Sequence, residues 1–218
     1  KWLRVSVDAG SAEVFQDVRP HASGKSFFNK VIDNMREFGK KKSGLLGYSF
    51  LILTKKDKDH NVISSNVGDI TRAAKLAKEI GCDYFEVKPA FDIMHFLQKQ
   101  QDKINQSVLE QLKNAKGLED ESFKIISPYT LSDALDNTNV QVKDYSSCNV
   151  SKIRTVVTPS GVYVCPYHRG NAQMKIGDAT KNKLSEIWSS QRKQQVIEGL
   201  DPKTHCRFHC IRHNSNKL

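Results

Sequence analysis

Hydrophobic and polar residues alternate from the first positions of the chain. Leu3, Val5 and Val7 share one face, and Trp2, Arg4, Ser6 and Asp8 share the other, which is the period of a half-buried strand ending at Gly10-Ser11. Residues 12–18 predict a short helix with Ser11 as its cap. Phe28, Val31, Ile32, Met35 and Phe38 recur at helical spacing and predict a helix over 25–38, stopped by Gly39 and the run Lys40-Lys41-Lys42. Residues 47–54 form a second strand, and 55–66 a polar loop. A helix over 69–80 follows, with Ile70, Ala73, Ala74, Ala77 and Ile80 inward and Gly81 as its C-terminal cap. Residues 83–88 make a third strand, stopped by Pro89. Strands alternating with helices predict the α/β class with parallel strands.

These strands are unusually polar for a parallel sheet, where both faces are normally apolar. The first offers Arg4, Ser6 and Asp8, and the third Tyr84, Glu86 and Lys88. A barrel with a polar, occupied lumen explains this pattern; an edge strand with a solvated face is the simpler alternative. Residues 90–122 read as polar helix with Ile104, Val108, Leu109 and Leu112 as a thin stripe, and 123–127 as a further strand. The Asn/Asp/Ser-rich stretch 128–147 reads as a linker. Beyond it, 153–158 and 162–165 flank Pro159-Ser160-Gly161 as a β-hairpin. A helix over 181–198, with Leu184, Ile187 and Trp188 inward, ends before Asp201-Pro202. The organisation expected is a domain over 1–127, a linker over 128–147 and a small domain over 148–218.

Composition changes the picture only modestly. The 218 residues carry a net charge of +10, with 38% hydrophobic and 27% charged residues, inside the globular range. No apolar run approaches the roughly 18 residues of a membrane span, and a soluble, cytoplasmic protein is expected. A start at Lys1, already inside a strand, leads us to expect a piece of a longer protein.

The cysteines carry more information. Five is an odd number, unlike a secreted disulfide framework. Cys148, Cys165, Cys206 and Cys210 cluster near the C-terminus, separated by 16, 40 and three residues. Four thiolates hold zinc or an iron–sulfur cluster. Zinc ribbons prefer two close pairs, and only the last pair here is close, so the dispersed set favours a bulky cluster. Cys82, between a helix cap and a strand, reads as a buried structural thiol.

The segments TVVTPSGVYVCPYHRG, IGDATKNKLSEIWSS and CRFHC are similar to the C-terminal SPASM extension, called Twitch when shortened, of radical S-adenosylmethionine enzymes. WLRVSVDAGSAEVFQDVRP and AAKLAKEIGCDYFEVKP resemble later strands of that family's barrel, so the resemblance covers nearly all the chain. It implies the C-terminal part of a partial (β/α)6 TIM-like barrel followed by a small α+β Twitch or SPASM domain. It implies one auxiliary 4Fe–4S cluster on Cys148, Cys165, Cys206 and Cys210, used for substrate binding or electron transfer while a peptide, sugar or other small substrate is modified. It places Ser6, Asp8 and Arg19 near S-adenosylmethionine, Arg19 opposite the methionine carboxylate. The family's CxxxCxxC motif does not occur in these residues, so S-adenosylmethionine, its own 4Fe–4S cluster and a flavodoxin or ferredoxin donor are expected only in a complete protein, and this stretch alone is expected to be inactive. His168, His205, His209 and His213 crowd the cysteines and read as donors around the cluster or as solvated residues, and Lys88 and Glu86 as groups able to reach substrate or, equally, as a lumen or surface ion pair. The competing reading is a zinc-stabilised basic nucleic-acid-binding module, favoured by the net charge and the Lys40–Lys42 run and opposed by scattered basic residues and the lack of zinc-finger spacing.

Overall fold

The computed structural model describes residues 1–59, 61–90, 102–128, 131–132, 135, 143–206 and 210–217. They fall into two compact units, the first built from described residues up to 135 and the second from 143 onward.

The first unit is built on a parallel sheet. Strands β1 (Trp2–Ser6), β2 (Leu45–Ile52), β5 (Tyr84–Pro89) and β6 (Lys124–Ile126) lie side by side in chain order, all parallel. Helices α1 (Ala12–Val18), α2 (Phe28–Lys41), α3 (Ile70–Glu79) and α4 (Asp102–Lys116) make the returns. Alternate residues of the strands, Val7, Leu46, Tyr48, Phe50, Ile52, Phe85, Val87 and Ile125, join Phe15, Ile32, Met35, Ile70, Ala74, Ala77 and Val108 of the helices in one core. The opposite sheet face carries Arg4, Ser6, Ser49, Tyr84, Glu86 and Lys88. Here Arg4 reaches Glu86 at 2.7 Å, and Lys88 approaches the same carboxylate at 3.6 Å. Strand β5 lies inside the sheet, so an edge position does not account for its polar face.

Several boundaries differ from the sequence reading, each for a local reason. Helix α2 runs through Gly39, which is a point of close approach and not a stop. A Cβ there would lie 2.7 Å from the Ile80 carbonyl oxygen. Lys40 and Lys41 fall in the last turn, where positive charge favours the helix. Phe38, expected inward, is exposed, as is Leu109 of α4. The polar loop is instead a small antiparallel hairpin, β3 (Thr54–Lys56) with β4 (Val62–Ser65). Its turn is organised by the Asp57 carboxylate, which accepts from the backbone N–H groups of Asp59 and Asn61. The stretch expected as a linker includes Leu131, fully buried in the first core. Residues 91–101 of the long polar helix lie outside the described residues.

The C-terminal ends of β1 and β2 are joined by buried polar groups. Asp8 is fully buried and has a positive φ of 64°. Its carboxylate accepts from the Leu51 N–H at 2.8 Å, from Ser6 Oγ at 3.2 Å and from Arg19 Nε at 2.7 Å. Asn66 donates to the carbonyls of Asp8 and Leu51, both at 2.8 Å, and accepts from the Leu53 N–H. Asp69 accepts from the Gly10 N–H at 2.5 Å, pinning the loop after β1 to the start of α3. A buried carboxylate is tolerated when paired in this way.

The second unit contains a three-stranded antiparallel sheet of β7 (Val156–Thr158), β8 (Gly161–Tyr163) and β9 (Lys175–Gly177). The hairpin is the one expected, but β9 is an addition, and residues 149–153 form helix α5 (Asn149–Ile153) instead of the start of a strand. The single helix expected over 181–198 is two, α6 (Leu184–Trp188) and α7 (Gln191–Glu198). Ser190 is extended and its Oγ accepts from the Lys193 N–H at 3.2 Å, which starts a new helix. Ile187 is buried, but Leu184 and Trp188 are exposed, and the Lys193 ammonium sits 3.1 Å from the centre of the Trp188 ring. Helix α8 (Pro202–His205) follows, capped by Asp201.

Two tests of this packing follow. Gly10→Ala would place a Cβ 2.5 Å from the Ala73 backbone nitrogen, whereas Gly68 has open space. Gly10→Ala should lower unfolding stability in urea by about 1–3 kcal/mol and Gly68→Ala by less than about 0.5 kcal/mol; equal effects would contradict the close approach. Partial burial raises the Asp83 pKa, but hydrogen bonds from Lys42 and the Leu46 N–H, and the Lys42 charge, overcome this and hold it below the usual range. A depressed carboxylate stabilises the fold above its unfolded value of about 3.9 and loses that contribution as pH falls through the folded value. Asp83→Asn should therefore destabilise by about 1–2 kcal/mol at neutral pH and flatten the acid limb of stability against pH.

Candidate metal centre

Each of the four C-terminal cysteines stands at an element boundary. Cys148 is the residue before α5, Cys165 follows β8 and precedes the turn Pro166–His168, Cys206 closes α8, and Cys210 precedes a turn at 211–213. At such positions backbone direction changes, so side chains from distant stretches are able to aim at one point. Val162, Val164, Met174, Ile176, Ile187, Val196 and Leu200 form the core that holds these elements, and Cys148, Cys165 and Cys206 pack against it.

All four thiols open onto one cavity of about 400 Å³, its mouth included. Its walls also carry Lys143, Tyr145, Arg154, His168 and Asn216. A single zinc ion with bonds of about 2.3 Å draws its sulfurs to within about 4 Å of one another. Among the described residues no three His, Cys, Asp or Glu side chains are grouped in that way. A polynuclear cluster places each thiolate on a different iron and so holds its sulfurs farther apart than a single ion does.

The electrostatics are those of a buried thiol pocket beside positive charge. Burial pushes the Cys206 thiol up to about 12, reinforced by Cys148, Cys165 and Cys210 and opposed by Lys143. Burial likewise raises Cys210. Lys143 is itself buried, which lowers its pKa, while Cys210 and Cys206 act in the opposite sense. The Arg154 Nη2 donates to Cys165 Sγ at 3.3 Å, and the buried Arg154 Nε has no hydrogen-bond partner among the described residues. That orphaned N–H and the four cysteines on one cavity are the donor set that suits an anionic sulfur-rich group such as a 4Fe–4S cluster.

The histidines divide. His168 Nε2 is 3.6 Å from Cys206 Sγ, and burial, then His205, lowers its pKa. His205 Nδ1 accepts from the Asp201 N–H at 3.1 Å, which ties it to its own helix. His213 Nδ1 is 3.1 Å from the Tyr145 hydroxyl, and burial pushes that phenol up to about 12. His209 lies outside the described residues. Cys82 belongs to the first unit, where burial pushes its thiol up to about 12. Ser6, Asp8 and Arg19 are brought together, and the guanidinium edge suited to a carboxylate holds Asp8, with Nη2 also 3.1 Å from Ser6 Oγ.

Sequence reasoning missed Lys143, Tyr145 and Arg154. The first two lay in the presumed linker. Arg154, in the mixed stretch Ser151-Lys152-Ile153-Arg154-Thr155, carried no signal of its own.

Residues 148–211 match the SPASM family, described as an iron–sulfur cluster-binding domain. The matched stretch lies within the C-terminal unit and coincides with the segment in which the motifs resemble that extension. No curated protein matches the chain. The crystal structure of Streptococcus suis SuiB bound to precursor peptide SuiA is similar with a TM-score of 0.48 and 12% identity, over 91% of this chain and 44% of that one. The chain therefore spans less than half the length of that protein. Among the described residues no helix is long and apolar enough to cross a membrane.

The raised thiol pKa has a kinetic signature, since only thiolates alkylate readily. In the metal-free native chain, Cys206 should react with iodoacetamide at about pH 8 at least tenfold more slowly than in the urea-unfolded chain, as read by mass spectrometry of its peptide. Equal rates would contradict the shielding of the half-buried Cys206.

Proposed function

We propose that the C-terminal unit binds one 4Fe–4S cluster through Cys148, Cys165, Cys206 and Cys210. We further propose that the chain is the C-terminal portion of a cytoplasmic radical S-adenosylmethionine enzyme. The observation that carries the cluster reading is the convergence of the four thiols on one cavity, within a segment that matches an iron–sulfur cluster-binding domain. Such a group would supply a one-electron store, the auxiliary role in electron transfer, or, with all four irons held by cysteine, a buried charged body beside which substrate binds. The chain's own part is to present four thiolates, to shield them with Val164, Leu200 and their neighbours, and to set Arg154 and Lys143 beside them.

The first unit supports the enzyme reading by its winding. Four parallel strands in chain order, helical returns, and alternate residues facing one helical core leave a polar sheet face, the arrangement of a segment cut from a (β/α) barrel. In that reading the unit is part of a partial (β/α)6 barrel, Arg4, Glu86 and Lys88 face its lumen, and the C-terminal domain is of the one-cluster Twitch type. The β1–β2 ends, held by Ser6, Asp8 and Arg19, border the S-adenosylmethionine site of the complete enzyme, as barrel chemistry sits at the C-terminal ends of strands. The substrate is a peptide, sugar or other small molecule, and the electron donor a flavodoxin or ferredoxin.

Anaerobic reconstitution with iron and sulfide tests the centre. The wild-type chain should become brown and hold about four irons. Alanine at Cys148, Cys165, Cys206 or Cys210 should lower iron per chain and destabilise the C-terminal unit, since metal binding and folding are coupled, whereas Cys82→Ala should leave iron content unchanged. A colourless chain that takes up zinc instead would favour a zinc-stabilised nucleic-acid-binding module.

A further inference from the structure

Arg154 stands between α5 and β7, in the extended stretch that leads from Cys148 into the hairpin. It lines the cavity shared by the four thiols. One arm of its guanidinium, Nη2, donates to Cys165 Sγ at 3.3 Å. Its Nε is buried and has no hydrogen-bond partner among the described residues. A buried charged donor without an acceptor costs more than an ordinary lost hydrogen bond, and Arg stays protonated at any physiological pH. The side chain is also not held by a carboxylate: among the described residues no Asp or Glu forms an ion pair with it. Its charge therefore faces the thiols without internal compensation. A cubane held by four thiolates is an anion, and it becomes more negative on reduction. A fixed cation with N–H groups aimed at the sulfurs stabilises the reduced form more than the oxidised form.

We propose that Arg154 is a positioning residue of the cluster site, holding the Cys165 thiolate with Nη2 and offering Nε–H to a sulfur acceptor in the cavity, so that it raises the reduction potential of the bound cluster. This inference rests on the cluster reading above. It assigns to Arg154 a role separate from ligation, because iron content and potential are independent measurements.

The test uses the 218-residue chain, reconstituted anaerobically with iron and sulfide, as wild type, Arg154→Gln and Arg154→Lys. Iron per chain is measured first, and the midpoint potential is then read by redox titration followed by electron paramagnetic resonance. Arg154→Gln removes the charge and should lower the midpoint. Arg154→Lys keeps the charge but not the planar fork, and should fall between Gln and wild type. Equal midpoints in all three proteins, each fully loaded with iron, would overturn the role. If Arg154→Gln fails to hold iron, Arg154→Lys carries the test: a lowered midpoint supports the role, and an unchanged one overturns it. A wild-type chain that takes up no iron at all overturns the cluster reading itself, a result distinct from a loaded chain whose potential ignores Arg154.

Discussion

The C-terminal unit depends on one constraint: thiols from positions as far apart as Cys148 and Cys210 open onto the same cavity. The elements that meet this demand are short. Helices α5, α6 and α8 have five, five and four residues, and the three strands have three each. Such pieces have little independent stability, since a short helix barely repays its nucleation. The apolar core beneath them is small, and the cysteines complete its edge. A unit built in this way gains from a central ligand that ties its pieces together, as small domains with metal sites do.

The same cavity sets the electrostatic problem. The half-buried thiols of Cys206 and Cys210, with pKa values pushed upward by partial burial and by neighbouring thiols, resist ionisation. Lys143 and Arg154 bring opposing positive charge to the wall, and His168 adds a ring nitrogen near Cys206. The four cysteines and the cationic side chains therefore line the same cavity. The distinction matters for function, because ligation sets whether a redox group stays and the surrounding donors set its potential.

In the first unit, polar groups do structural work at the end of the sheet where ligands are bound in α/β folds. Asp8, Asn66 and Asp69 are buried and satisfied from neighbouring loops, and Arg19 closes the network from outside. Asp8 at positive φ, an uncommon conformation for a residue other than glycine, is held there by three donors, Leu51, Ser6 and Arg19. Loops fixed in this manner form a stiff rim, and the polar sheet face of Arg4, Glu86 and Lys88 lies below it.

Much of this was legible along the chain because it is local. The period-two faces of β1 and β5, the stripe of α3, the Ser11 cap and the Gly81 end all follow from spacing and backbone preference. So did the parallel sheet, since short helical returns admit little else, and the four-cysteine set, since clustering of a rare residue is visible without a structure. The errors lay where two stretches meet. Gly39 reads as a stop until the Ile80 carbonyl is found against it. Residues 181–198 read as one helix until Ser190 turns its hydroxyl to cap a second. Leu131 and Lys143 read as linker because each finds its burial in contacts remote in sequence. Residue spacing alone determined the period-two faces of the strands and most of the helix stripes, and it picked out the C-terminal set of cysteines as a candidate site. Only the tertiary structure decided what stands opposite them, because the Arg154 guanidinium and the orphaned Nε beside Cys165 arise from proximity in space, which no period along the chain encodes.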